Sequence, residues 1–155
     1  ENSVVVWAIN EDRRSMLSTP ANALTFAREK LNAVENLPIA VTNDLAVTEI
    51  TDGNLNFAFC VQESHDPSHA IFIKQAPGYI KCLGDGYALS NERALLESRV
   101  LIEYNKLVPN LVPRHFHLHQ ESCVMTLEYF GGYELLRTAF GRGSVDISFI
   151  SDIAH

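Results

Sequence analysis

Basic side chains are in short supply in this sequence. Twelve Lys and Arg stand against 19 Asp and Glu, for a formal net charge of −7 at pH 7. A nucleic-acid surface needs clustered cations to displace counterions from phosphates, so the balance excludes nucleic acid as the expected partner and favours a small molecule. Cysteine is also sparse. Cys60, Cys82 and Cys123 form an odd, widely spaced set with no C-x-x-C pair, which suits reduced thiols in a cytoplasmic protein, packed as small buried hydrophobes. Long apolar runs are absent: Val4 to Ile9 is too short to span a membrane and runs into Asp12, Arg13 and Arg14, so no membrane partner is expected. A remnant of a targeting peptide stays open there but has no support, since no basic residue precedes the run. No repeat or low-complexity segment is visible.

What is present has the composition of a soluble globular protein, 46% hydrophobic and 20% charged, which neither disorder nor a membrane class would show. At 155 residues the chain suits one domain with a real core and is short for a two-lobed enzyme.

Ser18-Thr19-Pro20 predicts a helix start, with a hydroxyl for an orphan N–H and a proline tolerated in the first turn. The helix should run to about Ala33, with Leu24, Ala27 and Leu31 as its apolar side. Alternation over Leu45 to Ile50, the turn formers Asp52-Gly53-Asn54 and the β-type run Phe57 to Val61 predict a hairpin. Ala70 to Lys74 is a third strand, and Pro77, Gly78, Gly84 and Gly86 mark an irregular connection. Ser90 or Asn91 would cap a helix ending near Lys106. A second hairpin follows from His115–His119 and Cys123–Tyr129 across Gln120-Glu121-Ser122, then a short helix at Glu134–Phe140 and another from about Val145. The fold class is therefore α+β, a five-stranded antiparallel sheet with one packed helix and flanking helices.

Several residues have the character of a site. Gly53, Asn54 and Asn56 occupy a turn whose residue types permit positive backbone dihedrals and outward N–H groups, as a phosphate cover needs; an ordinary hairpin turn uses the same residues. Lys74 ends an apolar strand on the face of Ala70 and Phe72, where its ammonium needs an anion unless it bends out to solvent. Glu97 shares a helix side with Ala94, Leu101 and Tyr104, so it wants a cation; a structural ion pair or a solvated carboxylate are the plainer readings. His115, His117 and His119 alternate along a strand, placing three imidazoles on one face, but one strand spreads them too far to chelate one ion, so a polar outer face is expected and no metal site. Glu128-Tyr129-Phe130-Gly131-Gly132 is a strand end entering a flexible turn.

Taken together, the words Glu49-Ile50-Thr51-Asp52-Gly53-Asn54-Leu55-Asn56, Ile73-Lys74-Gln75-Ala76-Pro77-Gly78-Tyr79 and Arg93-Ala94-Leu95-Leu96-Glu97 resemble the methylthioribose kinase family of the aminoglycoside and choline kinase-like group. Leu111-Val112-Pro113-Arg114 and Leu135-Leu136-Arg137 continue the likeness in order, over roughly residues 45–143. The resemblance implies a protein-kinase-like N-terminal lobe. Gly53, Asn54 and Asn56 would cover ATP phosphates, Lys74 would hold them, Glu97 would orient Lys74, and Glu128, Tyr129 and Phe130 would line the adenine site. It further implies ATP with Mg²⁺ as cofactors and a small sugar as partner, the γ-phosphoryl group passing to the anomeric hydroxyl of methylthioribose in methionine salvage.

The likeness has departures. Tyr129 replaces an aspartate, Gly131-Gly132 loosens the linker, and Gly86-Tyr87-Ala88-Leu89 replaces a Ser-Trp-Pro-Leu word. No His-Gly-Asp word or later acidic metal motif occurs, so no catalytic residue is expected in this chain and both motifs are expected in a second lobe. The implied division is an extension over residues 1–17, the ATP-binding lobe over 18–137 and the start of a connection over 138–155. Other acceptors of the same group, choline, homoserine or an aminoglycoside, stay open, as do a homodimer and a non-catalytic nucleotide-binding or interaction module.

Overall fold

A computed structural model of the chain describes residues 16–144; the Val4–Ile9 run and the helix expected from Val145 lie outside the described residues. Helix α1 spans Pro20–Lys30, capped by Thr19, whose hydroxyl oxygen accepts from the Asn22 N–H at 3.2 Å. It stops three residues before the expected end. Strands β1 (Leu45–Glu49), β2 (Phe57–Glu63) and β3 (Ala70–Gln75) follow, then β4 (Tyr79–Ile80), β5 (Gly84–Ala88), helix α2 (Arg93–Leu107), β6 (His115–His119), β7 (Val124–Glu128) and helix α3 (Leu136–Gly141).

The architecture is the expected α+β one, a five-stranded antiparallel sheet in the order β1-β2-β3-β7-β6. The stretch expected to be irregular instead folds into a small separate β4–β5 ladder. Lys81, in the bend between those strands, pairs with Glu49 at 2.8 Å and lies 4.9 Å over the Phe57 ring, which ties the ladder back to the sheet.

Parity along the strands assigns the two faces. Phe57, Phe59 and Val61 of β2 and Ile71 and Ile73 of β3 form one buried cluster with Ala23, Phe26, Ala27 and Leu31. Burying Phe59 and Ile71 completely in this cluster stabilises the fold by about 1.5–3 kcal/mol for each side chain. The opposite face presents Ala58, Phe72 and Lys74 toward α2. That helix buries only Ala94 and Ser98, two small side chains that permit close approach. Tyr104, expected on the same side as Glu97 and Ala94, is half exposed, because the face turned to the sheet is centred on Ala94 and Ser98. The cap expectation also changes: Glu92 is the N-cap with no side-chain cap bond, while the Asn91 carbonyl accepts from the Ala94 N–H at 3.0 Å.

Two further expectations are corrected. A register shift between His115 and His117 interrupts the β6–β7 ladder, and a bulge of this kind changes side-chain parity. His115 therefore reaches α2, with Nε2 2.8 Å from Ser98 Oγ, while the His119 ring meets Phe26 of α1 edge-on at 5.7 Å; the imidazoles do not share a face. Of the three cysteines, all free, Cys60 and Cys123 are buried as expected but Cys82 is exposed. Among the described residues no helix is long and apolar enough to cross a membrane.

Candidate functional site

All eight residues singled out from the sequence, Gly53, Asn54, Asn56, Lys74, Glu97, Glu128, Tyr129 and Phe130, line one cavity of about 860 Å³. It lies between the β1–β2 turn, the α2 face of the sheet and the segment leaving β7. Ala58, Phe72 and Leu127 give it an apolar floor, and Tyr133 and Leu135 extend its edge. A cavity of several hundred Å³ with an apolar floor and a few convergent polar groups is the usual form of a small-molecule site.

Lys74 projects from β3 because it shares parity with Phe72, and its Nζ lies 2.5 Å from Glu97 Oε1 on α2. The side chains are 22% and 38% exposed, so the pair is half-buried at the cavity wall and still reached by solvent. The turn differs from expectation: neither Gly53 nor Asn54 has a positive φ, and a Cβ added at Gly53 would make only ordinary contact with the Asn56 carbonyl at 3.8 Å. The turn is shaped instead by outside contacts. The Asn54 carbonyl accepts from the Cys82 N–H at 3.0 Å, and Arg137 of α3 donates to the Asp52 carbonyl at 3.1 Å.

Arg93, at the start of α2, was not singled out from sequence. Its Nη1 donates to the Pro77, Leu89 and Ser90 carbonyls at 2.8, 3.2 and 2.6 Å. Its Nη2 donates to the Leu55 carbonyl at 3.2 Å and to Asn56 Oδ1 at 3.0 Å. Nε is buried with no partner among the described residues. Burial pulls its pKa down, opposed by the nearby Cys123 and Glu97, and a guanidinium remains charged throughout. The signal available in the sequence was the four-residue spacing from Arg93 to Glu97, one helical turn, which puts both on the same side of α2.

At the far end, Glu128 carries its carboxylate back to the Arg114 N–H at 3.0 Å, and its own N–H donates to the Arg114 carbonyl at 2.8 Å. Tyr129 meets Cys60: burial pushes both the phenol and the thiol upward, and their mutual hydrogen bond raises the one and lowers the other. The Phe130 ring rests against Tyr133 at 5.4 Å, and Gly132, at φ +83°, supplies the left-handed residue that turns the chain there. Among the described residues no group of three His, Cys, Asp or Glu side chains is arranged to hold a metal ion. Glu97, Glu128, Asp52 and Glu134, the carboxylates around the cavity, are each already paired with a cation or a backbone N–H.

Comparison with curated proteins finds methylthioribose kinases. Over 127 residues the chain is 31% identical to "Methylthioribose kinase" of Bacillus pumilus, an alignment covering 77% of this chain and 32% of that protein. Over 125 residues it is 31% identical to "Methylthioribose kinase" of Yersinia enterocolitica, covering 81% and 30%. With "Methylthioribose kinase 1" of Oryza sativa subsp. japonica it shares 34% identity over 85 residues, covering 55% and 19%. The chain thus spans about a third of the length of these bacterial relatives. No family model matches it.

Proposed function

The chain is related to the methylthioribose kinases over about four-fifths of its length, and from that premise we propose that it is the ATP-binding lobe of a small-molecule kinase. The observation that carries this reading is the meeting of the Lys74–Glu97 pair with the Asp52–Asn56 turn and the Glu128–Phe130 segment around one cavity. Residues 18–137 constitute the lobe, and residues 138–155 begin a passage to a second one.

The cavity suits ATP. Its volume and apolar floor accommodate a purine, and an ammonium and a turn rich in amide groups stand where a polyphosphate needs donors. Bound there, ATP supplies a γ-phosphoryl group for transfer to a hydroxyl. Lys74 neutralises phosphate oxygens, Glu97 holds Lys74 at the cavity wall, and Gly53, Asn54 and Asn56 close over the phosphates. Tyr129 and Phe130 flank the base, with Phe130 steadied by Tyr133. The Glu128 N–H is engaged by Arg114, so the base is read from side chains and from backbone beyond Glu128.

The described residues do not by themselves fit a Mg²⁺ site, since no three His, Cys, Asp or Glu side chains among them are grouped to hold an ion; a second lobe would supply the ligands. The relatives' name supports methylthioribose as the acceptor, and the resemblance of the sequence words implies its anomeric hydroxyl as the phosphorylated group, in methionine salvage.

Calorimetric titration with ATP tests the reading. The chain should bind ATP, and Lys74→Ala should weaken binding by roughly tenfold or more. Absence of ATP binding, or an unchanged affinity in Lys74→Ala, would sink it. Phosphotransfer by the full gene product, offered 5-methylthioribose, choline, homoserine and an aminoglycoside, decides the acceptor. A second reading, a nucleotide-binding module without catalysis, is favoured by the exposed Phe130, Tyr133 and Phe140, an apolar edge suited to a partner surface. Turnover with any of the four acceptors removes it.

A further inference from the structure

Arg93 stands behind the cavity wall and is not among the residues that line it. Its five acceptors come from three separate stretches of chain: the end of the β1–β2 turn, Pro77 after β3, and the Leu89–Ser90 lead into α2. Among the described residues it has no carboxylate within ion-pair distance, Glu97 being taken up by Lys74. A guanidinium is a donor in every direction and never an acceptor. The Asn56 oxygen must therefore face Arg93, and the NH₂ branch of the same planar amide points away from it. Asn56 also lines the cavity.

We propose that Arg93 is a positioning residue for phosphate recognition, clamping Leu55 and Asn56 so that the Asn56 NH₂ is held as a donor toward an anionic ligand in the cavity. The inference rests on the nucleotide reading above and deepens it. The clamp sets the polarity of Asn56 as well as its place, since an amide flipped by 180° would turn a carbonyl oxygen toward the phosphates. The unneutralised guanidinium adds positive potential behind the same turn, where Lys74 alone is offset by Glu97. Lysine cannot replace it, because an ammonium lacks the planar fork that reaches Pro77 and Asn56 together.

The test is titration of the 155-residue chain with ATP and, separately, with adenosine, which carries the base but no phosphate. Arg93→Lys should weaken ATP by roughly tenfold and leave adenosine within about twofold, as expected for losing one well-placed donor to a charged group. Asn56→Asp provides a variant that keeps the clamp: the new carboxylate pairs with Arg93, the melting temperature does not fall, and ATP binding weakens by roughly tenfold or more because the outward donor is lost. In an Asn56→Ala background, Arg93→Lys should have a smaller effect on ATP than in the wild type, the signature of two residues acting through one contact.

Equal losses for ATP and adenosine in Arg93→Lys would show a merely structural role and overturn the inference, as would Asn56→Asp binding ATP normally. If Arg93→Lys does not fold, the Asn56→Asp result decides. Failure of the wild-type chain to bind either ligand condemns the nucleotide reading itself. ATP binding that depends on Lys74 but is unmoved by Arg93→Lys condemns only the clamp.

Discussion

Ser98 Oγ lies 2.8 Å from His115 Nε2, joining the buried face of α2 to the edge strand β6. The contact matters to the cavity because Glu97 is the next residue on α2, so whatever seats Ser98 also seats the partner of Lys74.

That contact makes stability sensitive to mild acid. Burial, with the neighbouring His117 second, holds the His115 pKa below the ordinary histidine value, and burial, with His119 second, does the same at His117. Both rings are therefore neutral in the fold at pH values where the unfolded chain already protonates them. The unfolded state binds more protons just below the ordinary value of roughly 6.5, so this contribution is complete above that pH and is lost as pH falls from it through the depressed folded values. Thermal melts should give a lower Tm at about pH 5.5 than at about pH 7.5, one below and one above the ordinary histidine value. His115→Gln, which retains a group able to meet Ser98, should flatten the dependence; an unaltered slope would assign it elsewhere.

The strands and the residues around the cavity were legible because strand parity is a local property. Lys74 follows Phe72 by two positions, so its face of β3 could be read from spacing, and the β-type run Phe57 to Val61 marked β2 as a strand though it is buried on both faces. Parity failed at His115–His119, where a bulge with no Gly or Pro to announce it moves His119 to the α1 side. Arg93 was passed over for a different reason: its partners are mostly backbone carbonyls, which carry no residue identity, and tertiary folding brings them together from distant positions. The β1–β2 turn was recognised by residue type, but the expected positive dihedrals are absent because Arg93, Arg137 and the Cys82 N–H bend it from outside.

The turn geometry yields a separable prediction for Gly53. With no positive φ and no close neighbour for a Cβ, Gly53→Ala should change unfolding free energy by no more than about 0.5 kcal/mol, as at an ordinary surface position. ATP binding should weaken, since Gly53 lines the cavity and a side chain there limits how closely phosphates can approach the backbone of the turn. Chemical denaturation alongside titration checks both halves. A large stability loss would mean that glycine serves the fold; unaltered binding would move the phosphates away from Gly53.

Thr126 offers a test of the sheet interior. It is fully buried in β7, opposite Ile73 and His117, and its hydroxyl has no hydrogen-bond partner among the described residues. Leaving a buried hydroxyl unpaired costs about 1–3 kcal/mol, and valine has nearly the same shape with a higher preference for strands. Thr126→Val should therefore raise stability by roughly 1 kcal/mol, visible as a higher urea midpoint with an unchanged m-value. A lower midpoint would show that the hydroxyl has a partner, such as an ordered water.

The cysteines supply a probe of the native state that reports on the cavity without a ligand. Cys82 is exposed, whereas Cys60 is buried against Tyr129 and Cys123, in the β6–β7 turn, is buried with Ala76 and Ala94. Burial raises the Cys60 pKa, more than the Tyr129 hydrogen bond lowers it, which keeps that thiol protonated and unreactive. Brief treatment with iodoacetamide near neutral pH should modify Cys82 first, with Cys60 and Cys123 following only on unfolding, as read by peptide mass spectrometry. Because the Cys82 N–H holds the Asn54 carbonyl at 3.0 Å, alkylation there also places a new group beside the turn. If the turn closes over phosphates, modified chain should bind ATP more weakly than unmodified chain while adenosine binding stays the same. Rapid labelling of Cys60 in the folded chain would show instead that the segment from Tyr129 onward leaves the sheet open, and that the adenine end of the cavity is not closed as described.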